Sequence, residues 1–269
     1  RPTANEGAFT MATNAVLLEI NDHIAVLTLN RPENRNSMTT ELLAAFHAAV
    51  LKVQRQRDLR CVIITGSGPH FCAGADFNSA LGDGDRLPHE NFLALYQPFL
   101  AVADIEPPVI AALNGHAVGG GFGLALICDL RVANMHSKYG ANFTRLGFHS
   151  GMAVTHMLPR LIGLPRANEL LLTGRLVGGA RAARLGIMNY AEEPTEVMPR
   201  ALKLAREIAA CAPAVVRMMK RSIYRDLDWN PRATAELDAH LQSRTFEMAD
   251  AREGVAALLE KREPAFRGR

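Results

Sequence analysis

Two short apolar runs, each followed at once by glycines, constrain this chain more than any other feature. Residues 61–65 read CVIIT and lead into Gly66, Gly68 and Pro69. Residues 109–113 read VIAAL and lead into Asn114-Gly115 and then Gly119-Gly120-Gly121. Neither run alternates strictly between apolar and polar residues, so both faces must be covered, as in the parallel sheets of α/β folds. Glycines placed directly after such strands let a ligand or a second segment approach the main chain closely.

The segments around these runs fit the same class. Residues 16–20 and 24–29 flank the turn-forming pair Asn21-Asp22 and read as a hairpin that ends at Arg31-Pro32, because proline cannot donate to a ladder. Thr39-Thr40-Glu41 opens a helix whose Leu42, Leu43, Phe46, Val50 and Val53 recur at helical spacing. Helical spacing returns over 92–103 and after Gly121, and Arg131 begins another short strand. From about Ser150 the pattern turns helical, with segments over 150–162, 166–173, 179–185, 195–210, 213–226, 231–248 and 251–261. Pro213 and Pro231 fall at first turns, where a missing N–H costs nothing. The expected organisation is an α/β core over 11–195 and a helical C-terminal region over 196–269. Residues 1–10 precede Met11, which looks like a natural start, and they are set aside as an added or disordered leader.

Composition removes several function classes. With 269 residues, 48% of them hydrophobic, the chain can bury a sizeable core. A net charge of +3 without a dense Lys/Arg block suits an anionic small ligand better than nucleic acid. No apolar run reaches membrane-spanning length. Cys61, Cys72, Cys128 and Cys211 show neither CxxC pairing nor zinc-finger spacing, which points to a reducing compartment and a cytoplasmic protein. No His/Asp/Glu cluster has metal-ligand spacing.

The glycine stretches carry the chemistry. Glycines at a helix start expose N–H groups where the helix dipole favours negative charge. Two such loops after parallel-type strands can converge on one oxygen as an oxyanion hole. Glycine-rich loops are also ordinary turns, and Gly119-Gly120-Gly121 would equally permit tight packing. The second loop is not a clean G-x-G-x-x-G, lacks an acidic residue ending a strand about twenty residues on, and has no Gly-Lys-Ser/Thr.

Leu29-Asn30-Arg31-Pro32 with Asn36, Phe71-Cys72-Ala73-Gly74-Ala75-Asp76, and Asn114-Gly115 through Gly121 together closely resemble the enoyl-CoA hydratase/isomerase (crotonase) superfamily. Residues 158–163 (LPRLIG) and 180–189 (ARAARLGIMN) match its later landmarks, so the likeness runs from about residue 14 to Phe266. It implies a spiral of ββα units with a C-terminal helical region that builds homotrimers, often paired into hexamers. It also implies an acyl-CoA thioester as ligand, with no cofactor beyond the coenzyme A that the substrate carries.

By that resemblance the backbone N–H groups of Ala75 and Gly120 hold the thioester oxygen, with Ala73, Gly121 and Phe143 beside the substrate. The backbone at Asp76 and Phe77 would meet the nucleotide and pantetheine end, and Phe266 would line the adenine pocket. Asn78 and Glu33 stand where some members carry Lys, which leaves Arg31, Arg267 and Arg269 as phosphate candidates. The two hydratase glutamate positions hold Gly123 and Phe143. The acid position used by isomerases and dehalogenases holds Gly151, and the tyrosine of a decarboxylase branch is replaced by Ser150. His149 is then the best candidate proton carrier, because imidazole titrates near neutral pH, although a single His in a glycine-rich loop is more often a packing residue. Arg145, Asn142, Ser150 and His116 are the other polar groups expected nearby.

Without paired carboxylates water is not activated in the ordinary hydratase manner. The expectation is therefore an acyl-CoA enzyme of the hydrolase, decarboxylase or C–C hydrolase type. The rivals are a catalytically weak acyl-CoA-binding protein and, third, a nucleotide-dependent oxidoreductase. Phe143, Phe148 and Met152 suggest an apolar acyl pocket or plain core. An apolar stripe including Leu237, Leu241 and Phe246 suits a helical subunit interface.

Overall fold

The computed structural model describes residues 14–75, 87–226, 231–262 and 264. Among the described residues ten strands form two sheets. The strands are β1 (Val16–Asn21), β2 (Ile24–Leu29), β3 (Cys61–Gly66), β4 (His70–Cys72), β5 (Val109–Leu113), β6 (His116–Val118), β7 (Leu130–Asn134), β8 (Lys138–Gly140), β9 (Val177–Gly178) and β10 (Tyr190–Glu192). One sheet has the order β1-β2-β3-β5-β7-β10 and is parallel apart from the β1–β2 hairpin. The other has the order β4-β6-β8-β9, with β4, β6 and β8 parallel. Successive strand pairs β3–β4, β5–β6 and β7–β8 thus place their first member in the large sheet and their second in the small one, which is the ββα spiral anticipated from the sequence.

The helices are α1 (Thr40–Arg55), α2 (Pro88–Leu100), α3 (Gly120–Ile127), α4 (Val154–Ile162), α5 (Leu164–Thr173), α6 (Gly179–Leu185), α7 (Val197–Ala209), α8 (Pro213–Asp226), α9 (Pro231–Phe246) and α10 (Ala249–Glu260). Thr39 caps α1 by accepting the Leu42 N–H, as the Thr-Thr-Glu signal predicts. The hairpin loop falls one residue later than Asn21-Asp22. Asp22 and His23 take φ of 47° and 65°, the left-handed pair that a tight two-residue turn between twisted strands requires. The helix expected from residue 150 begins only at Val154, because Met152 and Ala153 are left-handed (φ 57° and 53°) and break the helical path.

Full burial of β3 explains its uninterrupted apolar run. Cys61 and Ile63 face α7, packing with Ile24, Ile110 and Val132 against Val197, Ala201 and Ala205. Val62 and Ile64 point into the main core with Leu27, Leu29 and Phe46. The period-two alternation is therefore between two cores and not between core and solvent. No described helix is long and apolar enough to cross a membrane.

A polar cluster fastens α8 to the sheet. The Asp129 carboxylate accepts the Val109 N–H at 2.6 Å and the Tyr224 hydroxyl, and pairs with Lys220 Nζ at 2.7 Å. Lys220 also donates to Ile105 O and Pro107 O. Burial and the adjacent Asp129 carboxylate push the Tyr224 phenol well above its usual range, so it stays a donor. Asp129→Ala would strand a mostly buried ammonium and a backbone N–H, and we expect a loss of about 2–4 kcal/mol in urea unfolding. Asp129→Asn should cost less.

Candidate active site

Because β3 and β5 lie side by side and parallel, the glycine stretches at their carboxyl ends emerge together. The next strands zip them up: β4 pairs with β6 in parallel, His70 opposite His116. Two asparagines brace the first loop. Asn114 Nδ2 donates to Gly68 O at 2.8 Å and to His70 O at 3.3 Å, while its Oδ1 accepts the Gly66 N–H at 3.0 Å. Asn36 is fully buried; its Nδ2 donates to Ser67 O and His70 O, and its Oδ1 accepts the Arg31 N–H. Asn36 and Asn114 are thus scaffold residues of the loop.

Glycine is required where these segments touch. A Cβ on Gly115 would lie 2.0 Å from Pro69 O, and one on Gly121 would lie 2.2 Å from Cys72 O. Gly74 has φ of 90°, and its Cβ would stand 2.7 Å from Val118 O and 3.2 Å from Gly120 N. The turn carrying Ala75 therefore lies against the first residue of α3. Met38 N–H donates to Gly74 O at 2.8 Å and Ala73 N–H to Arg35 O at 3.1 Å, which fixes that turn. Neither Ala75 N–H nor Gly120 N–H donates to another described residue. Gly120 is in the first turn of a completely buried helix, where main-chain donors lack intrahelical partners and the dipole favours an anion.

These two donors border a cavity of about 720 Å³, including its open mouth. Ala73, Gly74, Ala75, Gly119 and Gly120 form its glycine-loop side. Met38, Phe92, Leu95, Tyr96, Phe143, Leu146, Phe148, Met152, Phe246 and Leu258 supply most of the remainder, with Asn142 and Gln242 as the side-chain amides. Phe143 packs edge-on against Phe148, with ring centroids 5.7 Å apart, and Phe148 meets Phe246 in turn. Among the described residues no Asp, Glu, His, Lys or Arg lines it. Cys72 lies behind the first loop, and burial pushes its thiol up to about 12, so it is not a thiolate nucleophile at neutral pH.

Several residues singled out in the sequence take other places. Gly121 is not on the cavity wall; it is the contact point of α3 with β4. His149 also lies off the wall: its Nδ1 is 2.7 Å from Ser150 O, and its N–H donates to the Thr245 hydroxyl. Arg145 donates to Thr173 O, Ser150 to Gly151 O, and His116 Nδ1 accepts the Lys138 N–H. Arg31 is paired with Glu33 and Glu41. Phe246, assigned to a subunit interface by its spacing, faces the cavity instead. Asp76, Phe77, Asn78, Phe266, Arg267 and Arg269, and the side chains of Leu237 and Leu241, lie outside the described residues.

Gly123 and Gly151 are both closely overlaid by neighbouring side chains. A Cβ at Gly123 would lie 2.4 Å from Met152 Cβ, so the methionine occupies the start of any side chain there. A Cβ at Gly151 would lie 2.2 Å from the Tyr96 hydroxyl and 2.9 Å from Gln242 Oε1. Tyr96 and Gln242 come from α2 and α9, whose helical spacing marks an apolar face but not the loop it will cover.

A model of the enoyl-CoA hydratase/isomerase family matches residues 19–269. The chain is 36% identical over 259 residues to (E)-benzylidenesuccinyl-CoA hydratase of Thauera aromatica, covering 94% of this chain and 99% of that protein. It is 34% identical over 258 residues to crotonyl-CoA hydratase of Syntrophomonas wolfei, covering 95% and 99%. The crystal structure of an enoyl-CoA hydratase/isomerase from Pseudoalteromonas atlantica matches with a TM-score of 0.83 at 29% identity, over 94% of this chain and 100% of that one.

The Gly123–Met152 contact has a measurable consequence. Gly123→Ala should destabilise the protein by about 1–3 kcal/mol through overpacking. Met152→Gly removes the opposing Cβ, so the same substitution in that background should cost clearly less. A double-mutant cycle on denaturation midpoints reads the coupling, and additive costs would show that the contact is not the cause.

Proposed function

The chain belongs to the enoyl-CoA hydratase/isomerase family and acts on acyl-CoA thioesters, and from that premise we propose a reaction that needs oxyanion stabilisation without a pair of carboxylates. The thioester carbonyl would accept hydrogen bonds from Ala75 N–H and Gly120 N–H. Both are backbone donors fixed by the fold, so they need no reorganisation as negative charge develops on the oxygen. An enolate formed by loss of an α-proton or of carbon dioxide, and a tetrahedral oxyanion formed by attack on a carbonyl, are stabilised alike. Coenzyme A enters as part of the substrate, and the reading requires no further cofactor.

The observation that carries this proposal is the occupation of the acid positions. Met152 fills the space beside Gly123, Phe143 is apolar, and the Tyr96 hydroxyl stands over Gly151. An ordinary hydratase mechanism requires groups that activate water and deliver a proton. Thioester hydrolysis, decarboxylation or C–C hydrolysis accords better with the described pocket. The relatives named above carry hydratase names, so the departure from hydration rests on the pocket alone. The apolar lining also favours a second reading, a protein that binds acyl-CoA and turns it over weakly.

Mass spectrometry of enoyl-, malonyl-, β-keto- and aromatic-CoA thioesters incubated with the protein in deuterated water separates these. We expect free CoA, carbon dioxide or a cleaved carbon skeleton from one class, and no hydrated enoyl product. Hydration at an ordinary enzymatic rate would overturn the proposal, and tight binding without turnover would favour the second reading.

For assembly we propose a homotrimer, or a hexamer made of two such trimers. The support is α8, whose Val215, Met218, Met219 and Ile223 share one face and are all at least half exposed. Sedimentation should give a trimer or larger, and a Met218→Lys/Ile223→Asp double variant should shift it to monomer. An unchanged sedimentation profile would move the interface elsewhere.

A further inference from the structure

The cavity that would take the acyl chain is mostly apolar, and apart from the Asn142 amide its polar side-chain groups gather at one place. There Gln242 and Tyr96 converge. Their amide oxygen and hydroxyl lie 2.9 Å and 2.2 Å from the single point that a Cβ on residue 151 would occupy. Gln242 is 4% exposed, and its Oε1 has no hydrogen-bond partner among the described residues. An unsatisfied buried amide oxygen costs about 1–3 kcal/mol, so a fold rarely keeps one unless something else supplies the donor. Apolar residues would fill the same volume on α9 without that cost.

We propose that Gln242 and Tyr96 form a polar subsite that selects acyl chains bearing a hydroxyl group. This rests on the acyl-CoA reading above and deepens it. The substrate hydroxyl donates to Gln242 Oε1 and lies within reach of the Tyr96 hydroxyl, which can donate in return. A carboxylate would not suit the place. It has no proton for Oε1, and no Lys, Arg or His lines the described cavity to offset its desolvation. A purely hydrocarbon chain would leave Oε1 unpaired and remove whatever solvent reaches it. Gly151 is part of the same arrangement, because any side chain there would displace the tyrosine hydroxyl.

Calorimetric titration of the intact protein tests the assignment, using saturated acyl-CoAs and counterparts that carry one hydroxyl at successive chain positions. At one position the hydroxylated ligand should bind about fivefold tighter or better, the worth of one net hydrogen bond. Gln242→Leu, with its folding checked by thermal melting, should lose that preference. Tyr96→Phe, which keeps the ring, should reduce it. Equal affinity for hydroxylated and unsubstituted chains would overturn the subsite while leaving the acyl-CoA reading intact. A preference that survives in Gln242→Leu would do the same. Failure of every acyl-CoA to bind would overturn the reading beneath it, and this inference with it.

Discussion

The close approach of two main chains is the constraint on which the rest of this structure depends. At Gly115–Pro69, Gly121–Cys72 and Gly74–Val118 the backbones come so near that no Cβ fits between them. Short parallel strands and two asparagines hold them there, where each hydrogen bond to a carbonyl replaces one that water would otherwise make. The result brings the turn carrying Ala75 against Gly120 without calling on a side chain. A site made this way is indifferent to most substitutions around it and is lost through a few. Any residue larger than glycine at position 74 would have to accept both a left-handed backbone and a collision with Val118 O.

The C-terminal helices complete the site. The Gly147 Cα lies against Asp250 O, where a Cβ would come within 2.3 Å, and Gly254 meets Leu146 O in the same way. α10 thus rests directly on the backbone of the segment that carries Phe143 and Phe148. α9 brings Gln242 and Phe246 across, opposite α2. With Met152 and Ala153 left-handed just beyond, the 147–153 segment is bent to fit under this roof, and the bend places Met152 over Gly123. The pocket's chemistry is therefore decided as much by how these helices press on one loop as by the glycine loops themselves.

What could be read from the sequence follows the range of the forces involved. Strands β3 and β5 were legible as continuous apolar runs because both their faces are buried, and helices α1 and α7 because one buried face imposes a helical period. Strands β4, β6 and β8 are too short to show one; they exist because neighbouring loops pair, which is a tertiary event. Ala73, Ala75, Gly120 and Phe143, named from two glycine motifs in order, line one cavity. Tyr96 and Gln242 could not be named this way, since helical spacing tells which face of α2 or α9 is apolar but not which loop it will meet. His149 illustrates the same limit. An imidazole next to a functional loop is a fair candidate by chemistry, yet its direction depends on Ser150 O and Thr245, contacts that no local pattern announces.

Family likeness and reaction chemistry are written in different parts of the molecule. The motifs that carry the resemblance include the glycines that permit the backbone geometry and the asparagines that brace it. Side chains on the cavity wall can differ without disturbing that geometry if their space is filled by others. Here the space at Gly123 is taken by Met152 and that at Gly151 by Tyr96 and Gln242. The first occupant is apolar. The second is polar but neutral, and neutrality matters in a cavity whose described lining holds no countercharge. A carboxylate there would have its ionised form disfavoured by desolvation. A hydroxyl and an amide keep the capacity to orient a polar ligand group without that penalty. The pocket thus sets main-chain donors of the glycine loops beside a described wall that offers shape and neutral hydrogen-bonding groups.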